Sequence, residues 1–312
     1  MTTEPNLQLN LYGFNLIFDE IIALHKNNKL PHKMLFSGPK GSGKSTLAYH
    51  IINYIFSFKE EFSYNLKEKL INKNNKSFIL LNNKTHPNFF LVDLKSDKKN
   101  IEISQTREMI HYINKSNFNK LPKIILINNV EHLNKNSLNS LLKIIEEPNL
   151  NVFFILIHNS NKKLADTLKS RCLLFKINHT FDETLNIVNK LLNKNLLNII
   201  NHDLINYYFS PGDFINLINF SKINNIDLKK YNINDFLNFL ITEKFYAKDD
   251  FIKSYIFVLI ELFFLKNFMS SINKINILNL YTKFIHKINN TLKYNLDQET
   301  LFLQFKSKVL NG

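Results

Sequence analysis

Residues 34–48 read MLFSGPKGSGKSTLA: a short apolar run, a glycine-rich loop and the opening of a helix-like stretch. Within it Gly38, Pro39, Lys40, Gly41, Ser42, Gly43, Lys44 and Ser45 fit the pattern G-x-x-x-x-G-K-[ST] without a mismatch, and Thr46 follows as the helix begins. The chemistry asks for these residue types. Glycines let the backbone turn its N–H groups inward around phosphates, at the positive end of a helix. Lys44 is placed to reach β- and γ-phosphates, and the Ser45 hydroxyl to take a magnesium position. Three of the six glycines in the chain lie in this one loop, in a sequence that otherwise avoids glycine, so chance is a poor account of the match. Strand, phosphate loop and helix in that order seed an α/β fold on a parallel sheet.

Further apolar runs recur outward from the loop: FFLV at 89–92, KIILI at 123–127 and VFFILI at 152–157, alternating with helix-like stretches. Fully apolar runs fit strands covered on both faces, so residues 1–178 are expected to form one nucleotide-binding α/β domain. Thr180-Phe-Asp-Glu183 then reads as a capping box, followed by Leu185, Val188, Leu191 and Leu192 at helical spacing. A small helical zone is expected over 179–222, broken once by Ser210-Pro211-Gly212, and an all-helical zone over 223–312. The most membrane-like stretch, FIKSYIFVLIELFFLKNFM (251–269), is interrupted by Lys253, Glu261 and Lys266. It falls short of the ~20 apolar residues a span needs and reads as a buried helix.

The strand KIILI is followed by Asn128-Asn129, then Glu131. In folds with this phosphate loop the second strand ends in an Asp that orients the water shell of magnesium, often followed by a catalytic Glu. An asparagine amide accepts a hydrogen bond but brings no charge to hold the ion, and it cannot take a proton from an attacking water. Glu131, two residues beyond Asn129 on the turn into the helix, is a carboxylate that could in principle compensate. The loop is expected to bind ATP or ADP, with Mg²⁺ weakly if at all, and hydrolysis is not expected.

Composition adds bounds. A net charge of +14 suits an anionic partner such as nucleic acid, but a lysine-rich solvated surface explains it equally. Asn, Lys, Ile, Leu and Phe dominate and tryptophan is absent, the mark of an AT-rich coding bias. With Cys172 the single cysteine, neither an internal disulfide nor a cysteine-based zinc module is possible, so no zinc is expected. A reducing cytoplasm is the natural setting, and MTTEPNLQLN carries no signal pattern.

Residues 136–172, NSLNSLLKIIEEPNLNVFFILIHNSNKKLADTLKSRC, resemble the bacterial clamp-loader branch of the AAA+ ATPases. That branch carries a helix ending LLK-x-x-EEP and then Ser-Arg-Cys, matched by Leu141-Leu142-Lys143, Glu146-Glu147-Pro148 and Ser170-Arg171-Cys172. KLPHKMLFSGPKGSGKSTLA (29–48), Thr85-His86-Pro87-Asn88 and IEISQTREM (101–109) are similar to segments of the delta prime family within that branch. The resemblance implies an AAA+ P-loop domain with a parallel five-stranded sheet, a small helical lid and an all-α collar. It implies a subunit of the DNA polymerase III clamp loader whose own ATPase is degenerate and whose partners are the gamma/tau and delta subunits. The sliding clamp would be met indirectly and primed DNA through its backbone, with no membrane involved. Arg171 would act in trans as a finger on the ATP of a neighbouring subunit. A guanidinium is permanently charged and forks onto two phosphate oxygens, and this chain places an arginine here although only 2 of its 40 basic residues are Arg. The four-cysteine zinc insertion of the family is missing, and a metal-free version would lie between 57 and 84. The family's first sensor falls at His158 or Asn159. The second falls at Gly212-Asp-Phe-Ile215, without its arginine.

Two other readings compete. An active motor of the gamma/tau type predicts turnover through Lys44. A nucleotide kinase would need several arginines around the transferred phosphoryl group, and two in the whole chain argue against it.

Overall fold

Alternation along the apolar runs assembles one sheet with two buried faces. The computed structural model describes residues 4–95, 98–116, 119–146, 151–271, 274–294 and 296–310. Its elements in chain order are α1 (Asn15–Lys26), β1 (Lys33–Gly38), α2 (Lys44–Ser57), α3 (Lys76–Asn82), β2 (Phe89–Val92), α4 (Ile103–Asn114), β3 (Lys123–Ile127), α5 (Lys135–Glu146), β4 (Val152–Asn159), α6 (Asp166–Lys169) and β5 (Leu173–Lys176). There follow α7 (Phe181–Leu192), α8 (Pro211–Ile223), α9 (Ile233–Thr242), α10 (Phe245–Lys248), α11 (Asp250–Ser270), α12 (Lys274–Tyr294) and α13 (Gln298–Phe305). The strands lie in the order β2-β3-β4-β1-β5, every neighbouring pair parallel.

Side chains two apart share a face. Met34, Phe36, Ile124, Leu126, Ile155 and Ile157 pack on one side with Phe18, Ile21 and Ile22 of α1 and Leu47, Ile51 and Ile55 of α2. Leu35, Ile125, Ile127, Phe154 and Leu156 pack on the other with Met109 and Ile113 of α4 and Leu141 and Ile145 of α5. The result is the expected parallel five-stranded sheet between helical layers. The four predicted strands are all present. The fifth, β5, follows directly on Ser170-Arg171-Cys172 and buries only Phe175.

The capping box opening α7 is formed, with Thr180 N donating to Glu183 Oε2 (2.8 Å) and Glu183 N to Thr180 Oγ1 (3.3 Å). The chain divides into two compact units, Met1–Leu191 with Ser210–Ile215, and Leu192–Phe209 with Asn216–Gly312. Within the second, α11 is buried through Ile252, Ile256, Leu259, Ile260 and Phe263, so its apolar length is core. No helix among the described residues is long and apolar enough to cross a membrane.

The segment between α2 and β2 is tied down by polar side chains. Asn75 caps α3 through Phe78 N (2.7 Å), accepts from Asn53 Nδ2 (3.0 Å) and donates to Phe62 O (2.8 Å). Glu60 receives Ser77 Oγ at 2.5 Å, and His50 bridges Tyr64 Oη (2.9 Å) and Gln8 O (3.1 Å). His86 stacks on Phe56, their ring centres 4.1 Å apart.

Candidate nucleotide-binding site

The phosphate loop runs from the end of β1 to the start of α2. Gly41 (φ +80°) and Gly43 (φ +83°) occupy the left-handed region, where a side chain would be strained. Gly43 is the N-cap of α2. Lys44 folds back into the loop, its Nζ donating to Gly38 O (2.8 Å), Pro39 O and Ser42 Oγ (3.3 Å). The side chain is buried and takes part in no ion pair among the described residues. Burial pulls its ammonium down to about 8, opposed by the Glu131 carboxylate. A buried cation held by carbonyls and a hydroxyl fits an incoming polyphosphate, which would supply the missing countercharge.

Ser45, one residue on, donates from Oγ to Asn128 Oδ1 at 3.2 Å, so the end of β3 does face the loop. Behind the two asparagines stands a carboxylate that the strand-by-strand reading missed. Asp93, at the end of β2, accepts Asn128 Nδ2 on one oxygen (3.0 Å) and Asn129 Nδ2 on the other (2.8 Å). It also accepts Leu94 N at 2.7 Å. The acid absent from β3 has a counterpart one strand over. No contiguous motif marks it: β2 is parallel to β3, and both strands deliver their C-terminal ends to the ligand side of the sheet.

Glu131 places Oε2 on the backbone N–H of Asn159 (3.2 Å), while its Oε1 is buried with no hydrogen-bond partner among the described residues. His158, one of the two positions at which the first sensor falls, is inside β4 and 4% exposed. It bridges Ser37 Oγ (2.8 Å) and Lys162 O (2.9 Å), a structural tie between β1 and the loop after β4. Asn159 meets Glu131 through its backbone N–H alone, while its side-chain oxygen accepts Asn161 N at 3.2 Å.

Gly212 lies against the phosphate loop. Its N–H donates to Gly41 O at 3.0 Å, and a Cβ on Gly212 would come within 2.6 Å of Gly41 Cα. His179 reaches Ser42 O (3.0 Å) and packs edge-on against Phe14. Lys40 is exposed and Pro39 and Thr46 are half-buried around the loop.

Arg171 sits apart from these groups, just before β5. Its Nε donates to Glu146 Oε1 (2.8 Å), its Nη2 pairs with the same oxygen (2.6 Å), and its Nη1 donates to Thr167 O (2.8 Å). Its side chain is 36% exposed. Glu146 closes α5; Glu147 and Pro148 of the same motif lie outside the described residues. Cys172 is half-buried, and burial pushes its thiol up to about 11, which leaves it a poor nucleophile. Among the described residues no three His, Cys, Asp or Glu side chains gather as a metal site.

The family model described as DNA polymerase III, delta subunit, matches residues 15–181. The delta prime subunit of DNA polymerase III from Buchnera aphidicola subsp. Baizongia pistaciae is 30% identical over 176 residues, covering 54% of this chain and 51% of that protein. The gamma subunit from Buchnera aphidicola subsp. Schizaphis graminum is 31% identical over 168 residues, covering 53% of this chain and 44% of that protein. The chain spans about half the length of the curated relatives it matches. A solved gamma subunit-related protein of DNA polymerase III from Thermotoga maritima overlaps 84% of this chain and 77% of its own, with a TM-score of 0.43 at 15% identity. By its family model and its curated relatives, the chain belongs to the DNA polymerase III delta prime family.

Proposed function

We propose that this chain is a largely non-hydrolysing AAA+ subunit of a clamp loader. It cradles ATP or ADP in its phosphate loop and supplies Arg171 to an ATP site on a neighbouring subunit. The observation carrying this reading is the end of β3, where two amides, both tied to Asp93, stand in place of a metal-orienting acid and a general base. Neither amide can accept a proton from water. Arg171 is meanwhile partly exposed, and among the described residues only an exposed ion pair and one carbonyl hold it. Such pairs are worth roughly 0–1 kcal/mol, so a neighbour's phosphate outcompetes Glu146 at little cost.

In this reading the partners are gamma/tau and delta subunits, and the second unit's helices provide the surface that joins them. Contact with the sliding clamp is indirect. Primed DNA is met through backbone phosphates, so binding weakens with salt and reads no sequence. The zones 179–222 and 223–312 act as lid and collar, and the protein works in the cytoplasm.

The test is reconstitution with the partner subunits and measurement of DNA- and clamp-stimulated ATP turnover. Arg171→Ala should lower the rate by at least about tenfold, since trans-acting arginines contribute 10³ or more in related phosphoryl transfers. The second reading, an active motor, draws on the unpartnered Glu131 Oε1. It replaces the first if Lys44→Ala abolishes turnover while Arg171→Ala leaves it intact.

A further inference from the structure

A carboxylate only accepts hydrogen bonds, and this constrains everything that touches Asp93. Asn128 and Asn129 must both present Nδ2 to it, as they do at 3.0 and 2.8 Å. Turning one end of the Asn128 amide toward Asp93 turns the other end away, and Oδ1 then faces Ser45 Oγ at 3.2 Å. Two neutral oxygens are thereby aimed at each other beside the phosphate loop, with a full negative charge one hydrogen bond behind them. Oxygen donors of this kind suit a hard divalent cation, which needs few protein ligands when phosphates and water complete its shell. Tyr49 of α2 also lies in the field of Asp93: burial first, and that carboxylate second, push its hydroxyl up to about 12.

We propose that Asp93 is a positioning residue for a divalent-cation site at the phosphate loop, orienting the Asn128 amide oxygen toward Ser45 and lending the site the charge that β3 lacks. This rests on the reading that the loop holds a nucleotide, and it revises the expectation that magnesium adds little. The cation belongs with nucleotide binding, not turnover, because the groups that Asp93 holds at the end of β3 are amides, which cannot take a proton from water.

Calorimetry on the full chain separates the two layers, with ADP titrated in EDTA and in Mg²⁺. ADP binding in EDTA tests the cradle; the ratio of the two affinities tests Asp93. The unmodified chain should bind ADP at least fivefold more tightly with Mg²⁺. Asp93→Asn, close in size, should bind alike in both conditions. The double exchange Asp93→Asn with Asn128→Asp, which moves the carboxylate onto β3, should restore the difference. A merely structural Asp93 would lower both affinities together and would not be rescued by that exchange. The proposal is overturned if the unmodified chain shows no Mg²⁺ dependence, or if Asp93→Asn keeps it. Absence of ADP binding in either condition would instead remove the cradle reading, and this one with it.

Discussion

Lys44 shows how one residue carries both a fold constraint and a ligand preference. Its ammonium is buried among loop carbonyls and pulled down to about 8, so a growing fraction is neutral above that pH. A bound polyphosphate favours the charged form and raises the value again. Binding is therefore linked to proton uptake, and affinity should fall as pH rises through about 8. ADP affinity is expected to drop on the order of tenfold between pH 7.5 and 9.5, with a heat that varies with the buffer's ionisation enthalpy. Lys44→Arg, charged throughout that range, should flatten the profile. Lys44, Ser45 and Asn128 were legible because they sit in or beside contiguous motifs. Asp93 was not, since 35 residues separate it from Asn128 and only strand pairing brings them together. The geometry of Arg171 was hidden for a similar reason: its partner Glu146 lies at the far end of another helix.

Among elements, the contact between the phosphate loop and the start of α8 is the least forgiving. Gly41 tolerates no side chain, because a Cβ there would lie 2.4 Å from Ser210 Oγ at a φ of +80°. Gly212 is equally confined, from the other side. In Gly212→Ala the new methyl must displace the Gly41 backbone, a distortion worth roughly 1–3 kcal/mol. ADP affinity should fall by more than about fivefold while the denaturation midpoint drops, both readable by calorimetry and urea titration. Ser210-Pro211-Gly212 was legible as a break between helices. Its role as a clamp on the loop was not, because a family motif stripped of its arginine gives no hint that its glycine still matters. The strand β5 escaped a periodicity reading too. It is four residues long and buries only Phe175, with Leu173 and Leu174 both exposed.

For the molecule as a whole, two histidines, one inside α2 and one just before β2, set the acid limit. His50 and His86 are both buried, and burial pulls each down to about 4. An unfolded histidine binds its proton below about 6.5, so the unfolded state gains protons first as pH falls. The stability these residues contribute is complete above pH 6.5 and is lost progressively down to about 4. At about 1.4 kcal/mol per pH unit, each accounts for on the order of 3 kcal/mol. Melting temperature should be flat from pH 8 to 6.5 and fall steeply toward 4.5; His86→Phe, which keeps the stack on Phe56, should make that fall shallower.

The outermost strand has a practical side. Among the described residues β5 ends the sheet, leaving a row of backbone groups without a strand neighbour, and it carries two exposed leucines. A shared charge of +14 opposes the approach of one copy of such a chain to another. That repulsion reaches about 10 Å at 0.1 M salt and about 3 Å at 1 M. The colloidal behaviour of the lone chain is thus opposite to that of a nucleic-acid-contaminated basic protein: salt added to clear the preparation weakens a force that opposes that approach.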